Sequence, residues 1–262
     1  MMNITENETL LNTGNLHLYT KYTRLLPGRP VLVFLHDSLG CTQLWRDFPG
    51  RLAAETQCNL LVYDRLGYGK SDPMPSALRP IDYLEQEADV LKELLEQLDI
   101  CDAILFGHSD GASIALIAAA LYPERIRAVV SEAAHIFVED ITIRGILHNV
   151  ELYHNTDLKQ RLERYHGDKT EMVFRSWADT WTRADFRSWN IEHLLRHIQC
   201  PVLVMQGDAD EFGTLAQVEG ILEGVGPRAE RCIITGAGHT PHKEAAAETF
   251  RRSAAFIRSI ID

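Results

Sequence analysis

Gly107-His108-Ser109-Asp110-Gly111 lies between a short apolar run, Ala103-Ile104-Leu105-Phe106, and a longer one, Ala112-Ser113-Ile114-Ala115-Leu116-Ile117-Ala118-Ala119-Ala120. The first has the length of a buried strand and the second that of a helix. Strand, sharp turn and helix with G-x-S-x-G at the turn make an elbow. Such an elbow forces the serine into a strained backbone and lifts its hydroxyl clear of the sheet. The flanking glycines let strand and helix approach closely without a Cβ clash. Ser109 is therefore a candidate nucleophile; the plainer reading is a turn serine without chemistry.

The same alternation runs through most of the chain. Strands are expected at Leu16–Thr23, Val31–His36, Leu60–Asp64, Ala103–Phe106, Ala128–Ser131, Val202–Gln206 and Cys232–Thr235. Helices are expected at Thr42–Glu55, Ile81–Leu98, Ala112–Tyr122 and Glu244–Ile260. Apolar strands alternating with helices imply an α/β fold, a mainly parallel, doubly wound sheet covered on both faces. Sites in such sheets form at the carboxyl ends of the strands. The pattern changes after about residue 134. Helical segments Asp140–Tyr153, Leu158–Tyr165, Lys169–Trp181 and Ile191–His197 follow with no convincing strand until Pro201. The expected organisation is a core of residues 1–134 and 198–262 with a helical lid inserted at 135–197. Three of four tryptophans, Trp177, Trp181 and Trp189, fall in that insertion, which makes it a candidate pocket wall.

Composition narrows the function classes. At 262 residues the chain can bury a large core. Its net charge of −11 speaks against nucleic acid and anionic membranes as partners, because both select basic surfaces. The charge favours neutral or cationic small molecules, or serves solubility alone. The stretch Met1–Glu8 is polar and acidic, without the basic and apolar regions of a secretion leader. The five cysteines, 41, 58, 101, 200 and 232, are scattered and odd in number, which fits reduced thiols and a cytoplasmic location. No C-x-x-C occurs, so a cysteine zinc site is not expected.

A serine hydroxyl needs a base to take its proton and a group to orient that base. Gly207-Asp208-Ala209-Asp210 follows one late strand and Gly236-Ala237-Gly238-His239 the next. Asp210 and His239 are the candidate partners of Ser109. Asp208 and Glu132 compete for the acid, and His242 for the base. The oxyanion formed on acyl attack needs preorganised donors. The N–H of Asp110, just after the serine, and that of Ser38, on the loop His36-Asp37-Ser38-Leu39-Gly40 after an early strand, fit that task.

With these motifs in this order the chain resembles the α/β-hydrolase superfamily along its whole length. His36–Gly40 resembles its oxyanion loop, Asp64-Arg65-Leu66-Gly67-Tyr68-Gly69-Lys70-Ser71 its D-x-x-G-x-G-x-S turn, Gly107–Gly111 its elbow, Gly207–Asp210 its acid turn and Gly238-His239 its histidine loop. Ser109-Asp110-Gly111 and the stretch from Glu132 through Ile141 are similar to the valacyclovir-hydrolase-like esterases. That resemblance implies a lidded serine hydrolase acting on small carboxylic esters, amino-acid esters among them, with no cofactor and no metal. Leu39, Asp110, Trp177 and Trp181 are the candidates for contact with substrate. The Asp110 carboxylate would meet a cationic acyl group, or serve only the helix start. Asp37 departs from the glycine usual after the loop histidine and brings a carboxylate beside the oxyanion site. A carbon–carbon bond hydrolase, a lyase using the same triad, or a receptor on the same scaffold are the other functions compatible with the motifs.

Other signals have plainer readings. Asp64 and Arg65 read as a buried structural pair. His193 and His197 stand i, i+4 on a helix and could bind a metal, but no third ligand is spaced with them and a surface role is expected. Gly67-Tyr68-Gly69 lacks the third glycine of a dinucleotide fingerprint. Phe174 and Phe186, with Trp177 and Trp181, line an acyl pocket or form the lid's own core.

Overall fold

The computed structural model describes residues 5–11 and 16–261, with the backbone alone for 5–11. Met1–Ile4, part of the stretch read for a leader, lie outside the described residues. Eight strands form one sheet: β1 (Thr5–Leu11), β2 (Leu16–Thr23), β3 (Val31–Leu35), β4 (Asn59–Tyr63), β5 (Ala103–His108), β6 (Ile126–Glu132), β7 (Val202–Gly207) and β8 (Ala229–Ile234). Their order is β1-β2-β4-β3-β5-β6-β7-β8. The β1–β2 and β2–β4 pairs are antiparallel and all others parallel, as the apolar strand pattern predicts.

Alternation along each strand divides the core. In β3, Val31, Val33 and Leu35 enter one apolar cluster and Leu32 and Phe34 the other, on opposite faces of the sheet. α1 (Phe48–Thr56) and α10 (Ala246–Ile261) cover the Phe34 face, where Phe34 stacks on Phe106 at 5.0 Å. α2 (Tyr83–Gln97) and α3 (Asp110–Leu121) cover the other. α3 is apolar all round because sheet, α2 and the helices after β6 enclose it; only Leu121 at its end is exposed.

Between β6 and β7 run α4 (Asp140–Asn155), α5 (Leu158–His166), α6 (Thr170–Thr182) and α7 (Glu192–Leu195). α8 (Leu215–Val225) follows β7, and α9 (Pro241–Glu244) follows β8. Among the described residues no helix is long and apolar enough to cross a membrane. All five cysteines are unpaired.

Several boundaries differ from the sequence reading. The expected helix Thr42–Glu55 is a 3-10 turn at Thr42–Trp45 followed by α1, because Arg46 takes a left-handed φ of 53° and Pro49 opens a new helix. The strand expected at Cys232–Thr235 begins at Ala229. The terminal helix is broken at Ala245 into α9 and α10. β1 and α8 are additions.

Candidate active site

The turn after β5 has the geometry that the elbow requires. Ser109 lies at φ 56°, ψ −121°, a conformation that costs a non-glycine residue roughly 1–3 kcal/mol. A Cβ on Gly107 would strike the backbone of Gly111, and one on Gly111 the carbonyl of Leu35. Strand, turn and helix can pack this closely only with glycine at both places.

The Ser109 hydroxyl stands 2.9 Å from His239 Nε2. On the other side of the imidazole, Nδ1 is 2.9 and 3.0 Å from the two oxygens of Asp210. Burial works against the charge of Asp210, but the His239 contact and the Phe212 N–H, at 2.8 Å, outweigh it and hold the carboxyl below its ordinary range. An ionised carboxylate only accepts. Nδ1 therefore donates to Asp210, and Nε2 offers its lone pair to the Ser109 O–H. The three expected partners are thus brought together from three strand ends. Asp208 turns instead to the N–H of Gly236 at 2.7 Å.

Glu132 and His242 do not join them; they pair with each other. Glu132 accepts from the His242 N–H at 2.6 Å and from its Nδ1 at 2.7 Å. His108, between the two couples, donates through Nε2 to the carbonyl of His239 at 2.8 Å. Burial lowers the affinity of His108 for a proton, yet Asp37 and Glu132 override it and the net shift is upward. Ligand atoms of His108, Glu132 and His242 lie within 4.8 Å of one another, but both Glu132 oxygens and His108 Nε2 are already engaged. These bonds account for the cluster without an ion. His193 and His197 are exposed on the surface.

The loop after β3 is fixed through one carbonyl. Asp37 O accepts from Arg65 Nη2 at 3.0 Å, His36 Nδ1 at 2.8 Å and the Gly40 N–H at 3.1 Å. The Asp37 side chain leans toward His108, with Oδ1 3.8 Å from Nδ1. Among the described residues no acceptor takes the Ser38 N–H. The Asp110 N–H opens α3 and has no partner one turn back. The loop is also anchored from the helical insertion, where His166 donates through Nε2 to Leu39 O at 3.0 Å and accepts from the Gly69 N–H at 3.0 Å.

A cavity of about 180 Å³ lies over Ser109. Leu39, Asp110, Trp177 and Trp181 are on its wall, as are Ser38 and His239. Phe174 and Phe186 are not: Phe174 stacks on Tyr153 at 3.8 Å and Phe186 on Trp189 at 5.7 Å, within the insertion's own packing. Apart from histidines, the charged groups on the wall are Asp37, Asp110 and Glu211. The expected Asp64–Arg65 pair does not form. Asp64 accepts from the N–H groups of Thr42 and Lys70 at 2.6 and 2.8 Å. Arg65 instead points its Nη2 to Asp110 Oδ2, 3.7 Å away, and lies over the ring of Tyr68. Sequence reasoning did not single out His135, Glu211 or Phe212; the last two directly follow Asp210, and that adjacency was the available signal.

This geometry agrees with the comparison of the chain with known proteins. Residues 32–252 match the model of the alpha/beta hydrolase family. The chain belongs to that family. The hydrolase is 30% identical over 213 residues to mouse (Mus musculus) serine hydrolase BPHL, covering 79% of this chain and 71% of that protein. It is 26% identical over 249 residues to a 2-succinyl-6-hydroxy-2,4-cyclohexadiene-1-carboxylate synthase of Enterobacter sp. (strain 638), covering 83% of this chain and 88% of that one. In fold it is similar to an enol-lactonase from Burkholderia xenovorans LB400, with a TM-score of 0.76 at 17% identity and coverage of 96% and 99% of the two chains.

Proposed function

We propose that this hydrolase cleaves small carboxylic esters through an acyl-enzyme on Ser109. What carries the reading is the continuous Asp210–His239–Ser109 chain, with bonds of 2.9 Å on either side of the imidazole, opening onto a cavity that two free backbone N–H groups border. His239 takes the Ser109 proton as Oγ attacks the carbonyl carbon. It returns that proton to the leaving alkoxide, then activates water for the second half-reaction. Asp210 keeps the imidazole in the required tautomer and stabilises its cation. The Ser38 and Asp110 N–H groups receive the oxyanion, the second with the aid of the α3 dipole. Residues 135–197 act as the lid that shapes the acyl side through Trp177 and Trp181. The relative named a serine hydrolase supports this chemistry.

The acidic wall favours an acyl group that carries a cation, and an α-amino ester brings one close to its carbonyl. Asp110 is the nearest carboxylate to the nucleophile in sequence. Its Oδ2 is engaged by Tyr83, and among the described residues no hydrogen bond is made to Oδ1. Ser109→Ala should lower kcat by about 10⁴-fold or more while the protein folds normally. A covalent ester-derived mass on Ser109 during turnover is expected by mass spectrometry. Its absence in an active enzyme would favour a lyase using the same triad without acylation. Asp110→Asn keeps the backbone donor and should reduce kcat/KM for an amino-acid ester roughly thirtyfold or more. The deaminated ester should be nearly unaffected, and equal losses on both would remove Asp110 from recognition.

A further inference from the structure

Behind the cavity wall, one hydroxyl joins two of its residues. Trp181 Nε1 is 2.8 Å from Tyr83 Oη, and Tyr83 Oη is 2.9 Å from Asp110 Oδ2. The direction of this chain is fixed by chemistry. An indole N–H can only donate, so Tyr83 accepts from Trp181 and has one proton left, which goes to Asp110. Burial, and then the nearby Asp110 charge, hold the Tyr83 phenol well above its ordinary value, so the hydroxyl keeps that proton. The three residues come from α6, α2 and α3, and their exposures are 1%, 3% and 2%. Trp181 and Asp110 are on the cavity wall and Tyr83 is not.

We propose that Tyr83 is a positioning residue: it fixes the Asp110 carboxylate toward the cavity and ties it to the helical insertion through Trp181, so that selectivity for a cationic acyl group and the placement of the insertion are set together. The activity side of this proposal rests on the amino-ester reading above. An aspartate side chain has two torsions. With Oδ2 held by Tyr83 and faced by Arg65, the carboxylate has one orientation, and Oδ1 is the oxygen left for a ligand. Without the hydroxyl, Asp110 can turn toward Arg65 and form a closer ion pair, which lessens its pull on a substrate cation. Trp181 would at the same time lose the acceptor of a buried N–H, a loss that loosens its packing on His135 and Phe186.

Tyr83→Phe removes the hydroxyl and keeps the ring. It should lower the ratio of kcat/KM for an amino-acid ester over its deaminated counterpart about tenfold, the consequence of weakening one charge-assisted contact. In Asp110→Asn background the same substitution should leave that ratio unchanged. A Tyr83→Phe enzyme whose two esters decline together has lost only structure, and the proposal falls. A second measurement does not depend on the substrate. In ¹⁵N–¹H spectra the Trp181 indole resonance, assigned by its loss in Trp181→Phe, should shift in Tyr83→Phe and also in Asp110→Asn, although Asp110 makes no hydrogen bond to Trp181. If it stays in place in Asp110→Asn, the two halves are uncoupled and the relay is overturned. If wild type shows no preference for the amine, the amino-ester reading fails, and the indole shift alone decides whether Tyr83 couples the two walls.

Discussion

Two carboxylate–histidine couples stand side by side at the carboxyl ends of the strands, and only one reaches Ser109. Asp210 meets His239 at 2.9 Å, and Glu132 meets His242 at 2.7 Å, in both cases through Nδ1. The histidines are three residues apart, His239 on the loop after β8 and His242 in α9. They differ in where the other ring nitrogen goes. His239 Nε2 faces Ser109, and its ring borders the cavity. The His242 ring is packed under Trp45, at 4.6 Å between centroids, and against His108 at 4.9 Å. A hydrogen-bonded couple becomes a proton carrier when its far nitrogen has an outlet. Enclosed, the same bond is a tie, and here it secures the loop that bears His239. His108 Nε2 completes the fastening by holding the carbonyl of His239 itself.

The largest expected contrast is catalytic. Asp210→Asn keeps the shape of the acid but offers an amide donor, so His239 presents the wrong tautomer to Ser109. A fall in kcat of about 10⁴-fold is expected. Glu132→Gln is the same change in the enclosed couple, and there the glutamine oxygen and amide can still serve the His242 N–H and ring. Its kcat should remain within about tenfold of wild type. Steady-state assays of both purified variants on one ester check this. Comparable losses would show that the enclosed couple takes part in the chemistry through His108.

Stability should reverse the ranking. Glu132→Ala leaves the buried N–H and Nδ1 of His242 without their acceptor and opens a hole beneath the histidine loop, at an expected cost of about 2–4 kcal/mol. Asp210→Ala mainly orphans the N–H groups of Phe212 and Gly213, next to a cavity that water can enter, and should cost less, about 1–2 kcal/mol. Urea unfolding at neutral pH measures both. A larger loss for Asp210→Ala would mean that the couple bordering the cavity also carries the fold.

How far the sequence went is explained by the same distinction. The Ser109, Asp210 and His239 cluster was legible because its members sit in loops directly after apolar strands, and because turn residues mark those loops. The parallel strands β3 to β7 were legible as short apolar runs buried on both faces. β1 was not, since Thr5-Glu6-Asn7-Glu8-Thr9 has no apolar pattern and is an edge strand defined only by its pairing with β2. α8 was obscured by Gly220 and Gly224, which lower helix propensity. They are there because Ile136 and Leu195 pack where their side chains would be. The place of Tyr83, the turn of Arg65 toward Asp110 and the Glu132–His242 bond were not legible. Tyr83 lies 27 positions from Asp110 and 98 from Trp181, and no local pattern joins them.

The smallest effect expected is in acid, where the enclosed couple is only partly undone. Burial opposes the charge on Glu132, but His242 overrides it and the carboxyl is held below its ordinary value. A group depressed in the folded state contributes fully above its unfolded value, about 4.3, and loses that contribution as pH falls through the folded value. His242 adds in the same direction. Burial lowers its affinity for a proton in the folded protein, so below about 6.5 the unfolded chain takes up a proton more readily than the native state. His242 therefore makes stability decline as pH drops below about 6.5, and Glu132 adds to that decline below about 4.3. Asp210, depressed by His239, contributes a further part below about 3.9. In Glu132→Gln the glutamate's share is absent at every pH. The urea midpoint of this variant should start lower than wild type at pH 7 and fall less steeply below about pH 4.3, where the two curves converge. Parallel curves would mean that Glu132 titrates alike in the folded and unfolded chains, and the enclosed couple would then be a neutral packing contact instead of a charged tie.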